Sequence, residues 1–244
     1  MVDLHNHILR YVVKLPVHPT EPDMETAVRM ARIAEEDGIS VIVSTAHFRP
    51  ERLGDRVEEM YGILHSAVDT LNETLRERGV NVEVVPGAEV AMCEQLPDLA
   101  DRGLLPTLGD SRHVLVELPM TSYAAYAEDV LFKLQLKGYR PIIAHFERLA
   151  DAPVRKISPR VLHERNIKLQ VNCGSLLGRR GNAVADLAKN LLKDDLVCAL
   201  GSDAHDPEDA PPRLTPCRSI VERAGGSGMF ERITLNRPLA IIGR

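Results

Sequence analysis

The feature that most constrains the fold is an alternation of short apolar runs with longer segments of helical period. In the segment that follows the first run, for example, Met24, Ala27, Ala31 and Ala34 recur at helical spacing. The seven apolar runs cover residues 2–7, 41–47, 82–90, 113–119, 141–147, 168–175 and 196–205. Strands that are apolar on both faces and alternate with helices form a parallel sheet covered by helices. The pattern predicts an α/β fold that closes, or nearly closes, into one TIM-like barrel.

Composition narrows the class of protein. No linker or low-complexity segment divides the 244 residues, so we expect a single domain over 1–244. A net charge of −5 without a block of Lys or Arg is evidence against a nucleic-acid partner. No run approaches the roughly 18 apolar residues of a membrane span, and no signal peptide is apparent, so we expect a cytoplasmic protein without stable membrane insertion. Oligomeric state is not predicted.

Residues that can bind metals or phosphate follow nearly every predicted strand. His5 and His7 are two residues apart, so a strand would direct both imidazoles to the same side. The full set is His5, His7, His47, Glu89, Glu117, His145, Cys173, Ser175, Asp203 and His205. Active sites of barrel enzymes lie at the carboxyl ends of the strands, so this phasing predicts a site with several metal ions. Imidazoles and carboxylates make up most of this set, and such ligands suit Mn, Fe or Zn.

The motifs at these positions resemble the PHP (polymerase and histidinol phosphatase) superfamily of metal-dependent phosphoesterases. They are HNH at 5–7, STAH at 44–47, GAE at 87–89, His145 and GSDAH at 201–205. Further stretches resemble the bacterial manganese-dependent protein-tyrosine phosphatases of capsule and exopolysaccharide operons. These are VELP at 116–119, AHFER at 144–148, NCGSLLGRRG at 172–181 and the Pro-Pro pair at 211–212.

The resemblance implies a distorted seven-stranded (β/α) barrel of PHP type that holds two or three ions, Mn²⁺ foremost and Fe or Zn as alternatives. The implied ligands of the first ion are His5, His7, Glu89 and Asp203, those of the second are Glu89, Glu117 and His145, and His47 and His205 belong to the third. Catalysis is assigned to Arg148, Asp203 and His205, with Arg148 also on the substrate phosphate and Ser175 lining the site. Metal-activated water would attack phosphorus. The implied partner is a phosphotyrosine protein, a bacterial tyrosine autokinase that regulates polysaccharide export.

Two departures from the family pattern affect the site. The loop at 10–22 carries Lys14 and no carboxylate before Glu21, where the resembling phosphatases have an acid that completes the third metal site. His18 is the best local substitute, although it could equally be a surface-loop histidine. Ala210 stands where the family has a phosphate-binding Arg, and Arg213 is the nearest replacement.

Three other functions stay open. Cys173 and Arg179 have the C-x5-R spacing of cysteine-nucleophile phosphatases, although Arg180 stands where those enzymes have Ser or Thr. The altered loop and the missing Arg also allow a catalytically weak regulatory binding module. A third alternative is a phosphoesterase for another small monoester, such as a histidinol-phosphate-like substrate. The remaining histidines, His65, His113 and His163, are predicted to be surface groups.

Overall fold

The structure, a computed structural model, describes residues 1–14, 21–119, 126–151 and 158–244. Within these ranges the strands are β1 (Val2–Asn6), β2 (Val41–Ser44), β3 (His47–Phe48), β4 (Glu83–Val85), β5 (Glu89–Ala91), β6 (His113–Glu117), β7 (Arg140–Ile143), β8 (Lys168–Asn172) and β9 (Val197–Gly201). The α-helices are α1 (Met24–Glu36), α2 (Pro50–Leu53), α3 (Val57–Glu77), α4 (Leu96–Asp101), α5 (Ala127–Leu136), α6 (Pro159–Glu164), α7 (Cys173–Leu176), α8 (Asn182–Lys193), α9 (Arg218–Gly225), α10 (Met229–Glu231) and α11 (Arg237–Ile241). Among them, no helix is both long enough and apolar enough to cross a membrane.

The strands form two sheets, and every strand pair is parallel. One sheet has the order β1-β2-β4, and the other has the order β3-β5-β6-β7-β8-β9. Helices follow most strands, as in α5 between β6 and β7 and α8 between β8 and β9. The predicted α/β fold with parallel strands is therefore confirmed.

Two of the seven predicted runs are each divided into two strands, which is why the described residues contain nine. The run at 41–47 leaves the first sheet after Ser44, and the run at 82–90 leaves it after Val85. Pro86 has no N–H to donate to a ladder. Gly87 lies so close to β2 that a Cβ there would be 2.9 Å from Val43 Cγ1. Both segments then re-pair in the second sheet, where His47 is opposite Glu89.

The ends of β1 and β9 join the two sheets. The backbone N–H of Asp203 donates to His5 O at 2.7 Å, and the N–H of His7 donates to Ala204 O at 2.9 Å. Asn6 and Ala204 form an isolated parallel bridge. This pairing brings the histidines of the first strand against the segment that follows the last strand.

Apolar side chains fill both faces of the strands. Leu4, Val43, Leu115 and Ile142 belong to one buried cluster, and a larger cluster includes the inner faces of the helices. Helix α1 follows the predicted spacing, since Ala27, Ala31 and Ala34 are buried and Asp23 caps its N-terminus by accepting from Thr26 N–H.

His113 differs from its prediction as a surface group. It is 3% exposed. Its Nδ1 donates to Ile241 O at 2.9 Å, and its Nε2 lies 3.2 Å from Lys168 Nζ. Both ring nitrogens therefore have a polar neighbour at the amino end of β6. Because these neighbours are distant in the chain, the sequence around His113 did not indicate that it is buried. His65 and His163 are exposed as predicted.

Candidate metal centre and anion pocket

Eight of the side chains predicted to bind metal meet at the ends of the strands. They are His5, His7, His47, Glu89, Glu117, His145, Asp203 and His205. His5 and His7 are fully buried, and their Nε2 atoms are 3.1 Å apart. The structure thus brings together residues that are up to 200 positions apart in the chain.

Glu89 is the carboxylate that most of the imidazoles share. Its Oε2 lies 2.8 Å from His47 Nδ1 and 3.4 Å from His7 Nε2, and its Oε1 lies 2.7 Å from His145 Nε2. Glu117 Oε1 is 3.9 Å from the same His145 nitrogen. A carboxylate with a separate imidazole on each oxygen is suited to bridging two ions.

Asp203 contacts both His5 and His7. Its Oδ1 is 3.1 Å from His7 Nε2 and 3.5 Å from His5 Nε2. Its Oδ2 accepts hydrogen bonds from Arg148 Nη2 and from Asn172 Nδ2. Asp203 therefore connects the histidine cluster to Arg148.

Three groups of ligand atoms are compact enough to hold an ion, with every atom of a group within 4.8 Å of the others. The groups are His5, His7 and Glu89; His47, Glu89 and Glu117; and His7, His47 and His205. The ring of His7 also stacks on that of His205 with centroids 4.0 Å apart. These donor sets match the imidazole and carboxylate chemistry of Mn, Fe or Zn.

Hydrogen bonds at the far side of two rings leave their Nε2 atoms available as ligands. Gln170 donates through Nε2 to Val171 O and Asn172 Oδ1, so its Oε1 is the acceptor that faces His5 Nδ1 at 3.2 Å. His205 Nδ1 lies 2.8 Å from Asp203 O, which can only accept. In both rings the neutral form therefore carries its proton on Nδ1 and a lone pair on Nε2.

Electrostatics in the cluster favour ionised carboxylates. Burial raises the pKa of Glu89, but His5, His145 and His47 outweigh burial and hold this pKa well below its usual range. The pKa of Asp203 is likewise held low against burial by His5, His7 and Arg148.

The histidines respond to the same charges in different directions. Burial opposes a charge on His5, yet Glu89 and Asp203 raise its pKa to about 9. Because Gln170 holds the Nδ1 proton, the proton that His5 loses is the one on Nε2, and a cation bound there would replace it. Burial lowers the pKa of His7 and of His205, which keeps them neutral ligands.

Strained backbone marks the same site. Among the described residues, four other than glycine have positive φ, and His145 (31°) and Asp203 (54°) are two of them. Such conformations are uncommon for residues with a Cβ and persist where surrounding contacts hold them. Here the backbone N–H of His145 donates to Gln170 Oε1 at 2.8 Å.

Sequence reasoning missed buried polar residues that support the cluster. Asp3 accepts hydrogen bonds from Ser202 N–H at 2.8 Å, Ser202 Oγ at 2.6 Å and Asn6 Nδ2 at 2.8 Å. Glu147 is fully buried, accepts from Asn172 N–H at 3.1 Å, and burial raises its pKa. These residues could have been found from the sequence, because a charged or amide side chain inside an apolar strand, as in VDLHN or KLQVN, needs a buried hydrogen-bond partner.

A pocket of about 350 Å³ opens beside the cluster. Its inner wall includes Arg148, Ser175, Asp203 and His205. The buried atom Arg148 Nε has no hydrogen-bond partner among the described residues, whereas the Ser175 hydroxyl is a hydrogen-bond neighbour of the buried Glu147 carboxylate. A guanidinium with a spare N–H donor is suited to an oxyanion.

The predicted replacement for the missing arginine is not part of this pocket. Ala210 lines the pocket, whereas Arg213 pairs with Glu36 at 3.3 Å. His18 lies outside the described residues. Tyr11, in the described part of the altered loop, contacts the site through its hydroxyl, which donates to His205 O at 3.0 Å.

Cys173 does not have the surroundings of a nucleophile. It is 2% exposed, and its Sγ lies 3.7 Å from Leu214 O. Cys217 Sγ lies 3.2 Å from the same carbonyl, and its neighbour Cys173 and burial raise the pKa of Cys217. Reactive thiols are accessible and lie near positive charge, so this buried thiol pair fits a packing role.

A family model for capsular polysaccharide synthesis, CpsB/CapC, matches residues 1–243. The chain belongs to the CpsB/CapC family. Tyrosine-protein phosphatase YwqE of Bacillus subtilis (strain 168) is 30% identical over 244 residues, which cover 99% of this chain and 91% of YwqE. The putative tyrosine-protein phosphatase CapC of Staphylococcus aureus is 28% identical over 86% of this chain and 79% of CapC.

A solved structure supports the same family at the level of the fold. It comes from work on YwqE from Bacillus subtilis and CpsB from Streptococcus pneumoniae, described there as unique metal-dependent tyrosine phosphatases. This chain matches it with a TM-score of 0.83 and 28% identity, covering 99% of this chain and 94% of that one. The predicted resemblance to capsule-operon phosphatases is thereby confirmed as a family relationship.

Proposed function

We propose that this chain is a metal-dependent protein-tyrosine phosphatase. The observation that carries the proposal is the pocket, which Arg148 lines together with Asp203 and His205 of the buried histidine and carboxylate cluster and in which Arg148 pairs with Asp203. Family membership and the names of the relatives agree with it.

The proposed ligand sets are the ones that the resemblance implies, and the compact groups differ from them in placing His47, not His145, with Glu89 and Glu117. One ion would be held by His5, His7, Glu89 and Asp203; a second by Glu89, Glu117 and His145; and a third by His47 and His205, to which His7 is close enough to contribute. Mn²⁺ is the proposed metal, with Fe or Zn as alternatives. Bound ions would supply Lewis-acid activation of water and neutralise charge on the phosphate.

The chain's own residues would bind and orient the substrate. Arg148 would donate from Nε to a phosphate oxygen while its Nη2 remains on Asp203, so the ion pair fixes the direction of the guanidinium. Ser175, which lines the same pocket, is the proposed second contact of the substrate. Asp203 and His205 are the other two proposed catalytic residues. The hydrogen bond from His205 Nδ1 to Asp203 O orients the His205 ring. Arg213 is not among the proposed phosphate-binding residues, because binding phosphate would require it to break its ion pair with Glu36.

The proposal also covers the domain organisation, the substrate protein and the cellular location. We propose that 1–244 is one domain whose two sheets together form a distorted PHP-type barrel, supported by the backbone hydrogen bonds between β1 and the segment after β9. The proposed substrate is a bacterial tyrosine autokinase that regulates polysaccharide export. A cytoplasmic location is proposed because all four cysteines are free and buried, which is typical of proteins in reducing compartments.

The test uses metal-stripped protein with p-nitrophenyl phosphate and with a phosphotyrosine peptide, each with and without Mn²⁺. Parallel samples are treated with iodoacetamide beforehand. Hydrolysis that requires Mn²⁺ and survives alkylation is the expected result. Metal-independent activity lost on alkylation would assign the chemistry to Cys173. Activity only on other monoesters, or none, would refute the tyrosine-phosphatase proposal and favour another substrate or a binding module.

A further inference from the structure

The outer wall of the pocket carries two arginines that the proposed reaction does not use. Arg179 and Arg180 line the pocket together with Asp209 and Ala210, whereas the inner wall, which is less exposed, holds Arg148. Both are exposed. Their position therefore adds positive charge at the entrance of the site, where the family arginine is missing.

The backbone that presents these arginines is fixed. The N–H of Arg179 donates to Gly174 O at 3.1 Å, and the N–H of Gly181 donates to Gly178 O at 3.0 Å. Gly178 has φ of 80° and Gly181 has φ of 90°, conformations that suit glycine. The Cδ of Arg179 would be 3.5 Å from a Cβ at Gly174, so the arginine stem passes over the pocket wall.

Neither guanidinium lies within 4.0 Å of a carboxylate oxygen of the described residues, whereas Arg148 pairs with Asp203 and Arg213 pairs with Glu36. Among the pocket-lining residues, three arginines face two aspartates, and one of these aspartates already pairs with Arg148. The entrance thus offers two cationic side chains to an anionic ligand.

Arg148 on the inner wall and the two arginines on the outer wall are suited to different anionic groups of a substrate. Arg148 Nε is a buried donor beside Asp203 of the proposed metal centre, where the phosphate to be hydrolysed would lie. Arg179 and Arg180 are exposed at the entrance, where the part of a substrate outside the reacting group would pass. A pocket of about 350 Å³ has room for more than one phosphate group.

We propose that Arg179 and Arg180 form a second anion subsite that binds a carboxylate or a second phosphate adjacent to the phosphotyrosine. This inference rests on the proposed function and specifies its substrate as an acidic or multiply phosphorylated peptide segment. Because both side chains are exposed, each contact is modest and weakens with salt.

The test measures binding separately from hydrolysis. Fluorescein-labelled peptides carry a hydrolysis-resistant difluorophosphonate in place of the phosphotyrosine, flanked by Glu, by phosphoserine or by Gln. Their Kd values are measured by fluorescence anisotropy with wild type, with the Arg179→Gln/Arg180→Gln double variant and with Arg76→Gln. Arg76 is an exposed arginine near the end of α3, without an ion pair among the described residues, and serves as the control for an exposed arginine outside the pocket.

The expected result is a preference of about tenfold for the anionic flanks over the Gln flanks at low salt. The double variant loses this preference and Arg76→Gln keeps it. The Glu and phosphoserine peptides distinguish a carboxylate from a second phosphate. Equal Kd values for all three peptides in wild type, or an unchanged preference in the double variant, would overturn the subsite.

Kinetics with p-nitrophenyl phosphate distinguish the subsite from a role on the reacting phosphate. If the double variant raises KM for this small substrate as much as for the Glu-flanked peptide, the arginines hold the reacting phosphate and the proposal is wrong. Failure of the proposed function would appear differently, as absence of Mn²⁺-dependent hydrolysis by wild type, while the anisotropy preference would still decide the anion subsite.

Discussion

Oε1 of Gln170 lies 3.2 Å from His5 Nδ1 and accepts the backbone N–H of His145 at 2.8 Å, so one buried amide orients two histidines of the metal centre. Removing this oxygen leaves the His5 tautomer and the strained His145 backbone without support. We expect Gln170→Ala to weaken Mn²⁺ binding by about 10- to 100-fold. Competition with a fluorescent chelator measures this. Gln135→Ala, which loses an exposed bond to Arg165 O, is the control; equal affinities in the two variants would contradict the role of Gln170.

Substitution of the proposed ligands should abolish hydrolysis without unfolding the protein. Asp203→Asn removes a carboxylate that contacts His5, His7 and Arg148, and His7→Ala removes an imidazole that belongs to two of the compact ligand groups. We expect kcat to fall by at least about 100-fold in each. Circular dichroism melting, run beside the assay, shows whether the fold persists. Full activity in both variants would refute the metal mechanism.

Replacement of the buried thiol should have little effect on catalysis. Cys173 is 2% exposed and packs against Leu214. We expect Cys173→Ala to retain Mn²⁺-dependent activity within about threefold, because alanine keeps a small apolar group at a site that needs packing. The measurement is kcat/KM on a phosphotyrosine peptide. A complete loss of activity in a folded variant would revive the cysteine mechanism.

The buried His113 should make stability depend on pH. Burial, followed by the charge of Lys168, lowers its pKa to about 4, whereas the unfolded chain has a value near 6.5. As pH falls from about 6.5 to about 4, the unfolded state binds a proton that the folded state does not, so stability falls over that window. We expect this group to contribute on the order of 1–2 kcal/mol, discounted for relaxation around the ring.

Urea unfolding of wild type and His113→Gln at pH 7.0 and 4.5 tests this expectation. The difference between the two pH values should be smaller in the variant, since glutamine does not titrate. His163→Gln, at an exposed position on α6, should behave as wild type. An identical pH dependence in wild type and His113→Gln would show that His113 does not carry the effect.

The sequence alone determined the architecture and most of the centre. Alternating apolar runs and helical segments require parallel strands covered by helices, because each face of such a strand must be buried. Ligand-type residues placed after those strands must then meet at one edge, since parallel strands share their carboxyl ends. His5, His47, His145 and Asp203 were therefore predictable together, without knowledge of a single distance.

Only the tertiary structure decided what depends on contacts between distant segments. The breaks at Thr45–Ala46 and Pro86–Ala88 arise because Gly87 packs closely against Val43, and local periodicity does not contain that contact. Gln170 and Asp3 are polar residues in apolar strands, and their partners are set by strand pairing. Arg213 is near the site in sequence but pairs with Glu36, whereas Arg179 reaches the pocket. The apolar pattern of the sequence determines which residues lie at the same edge of the sheet. Which side chains contact the site, and which charged groups pair, depends on neighbours that only the folded chain brings together.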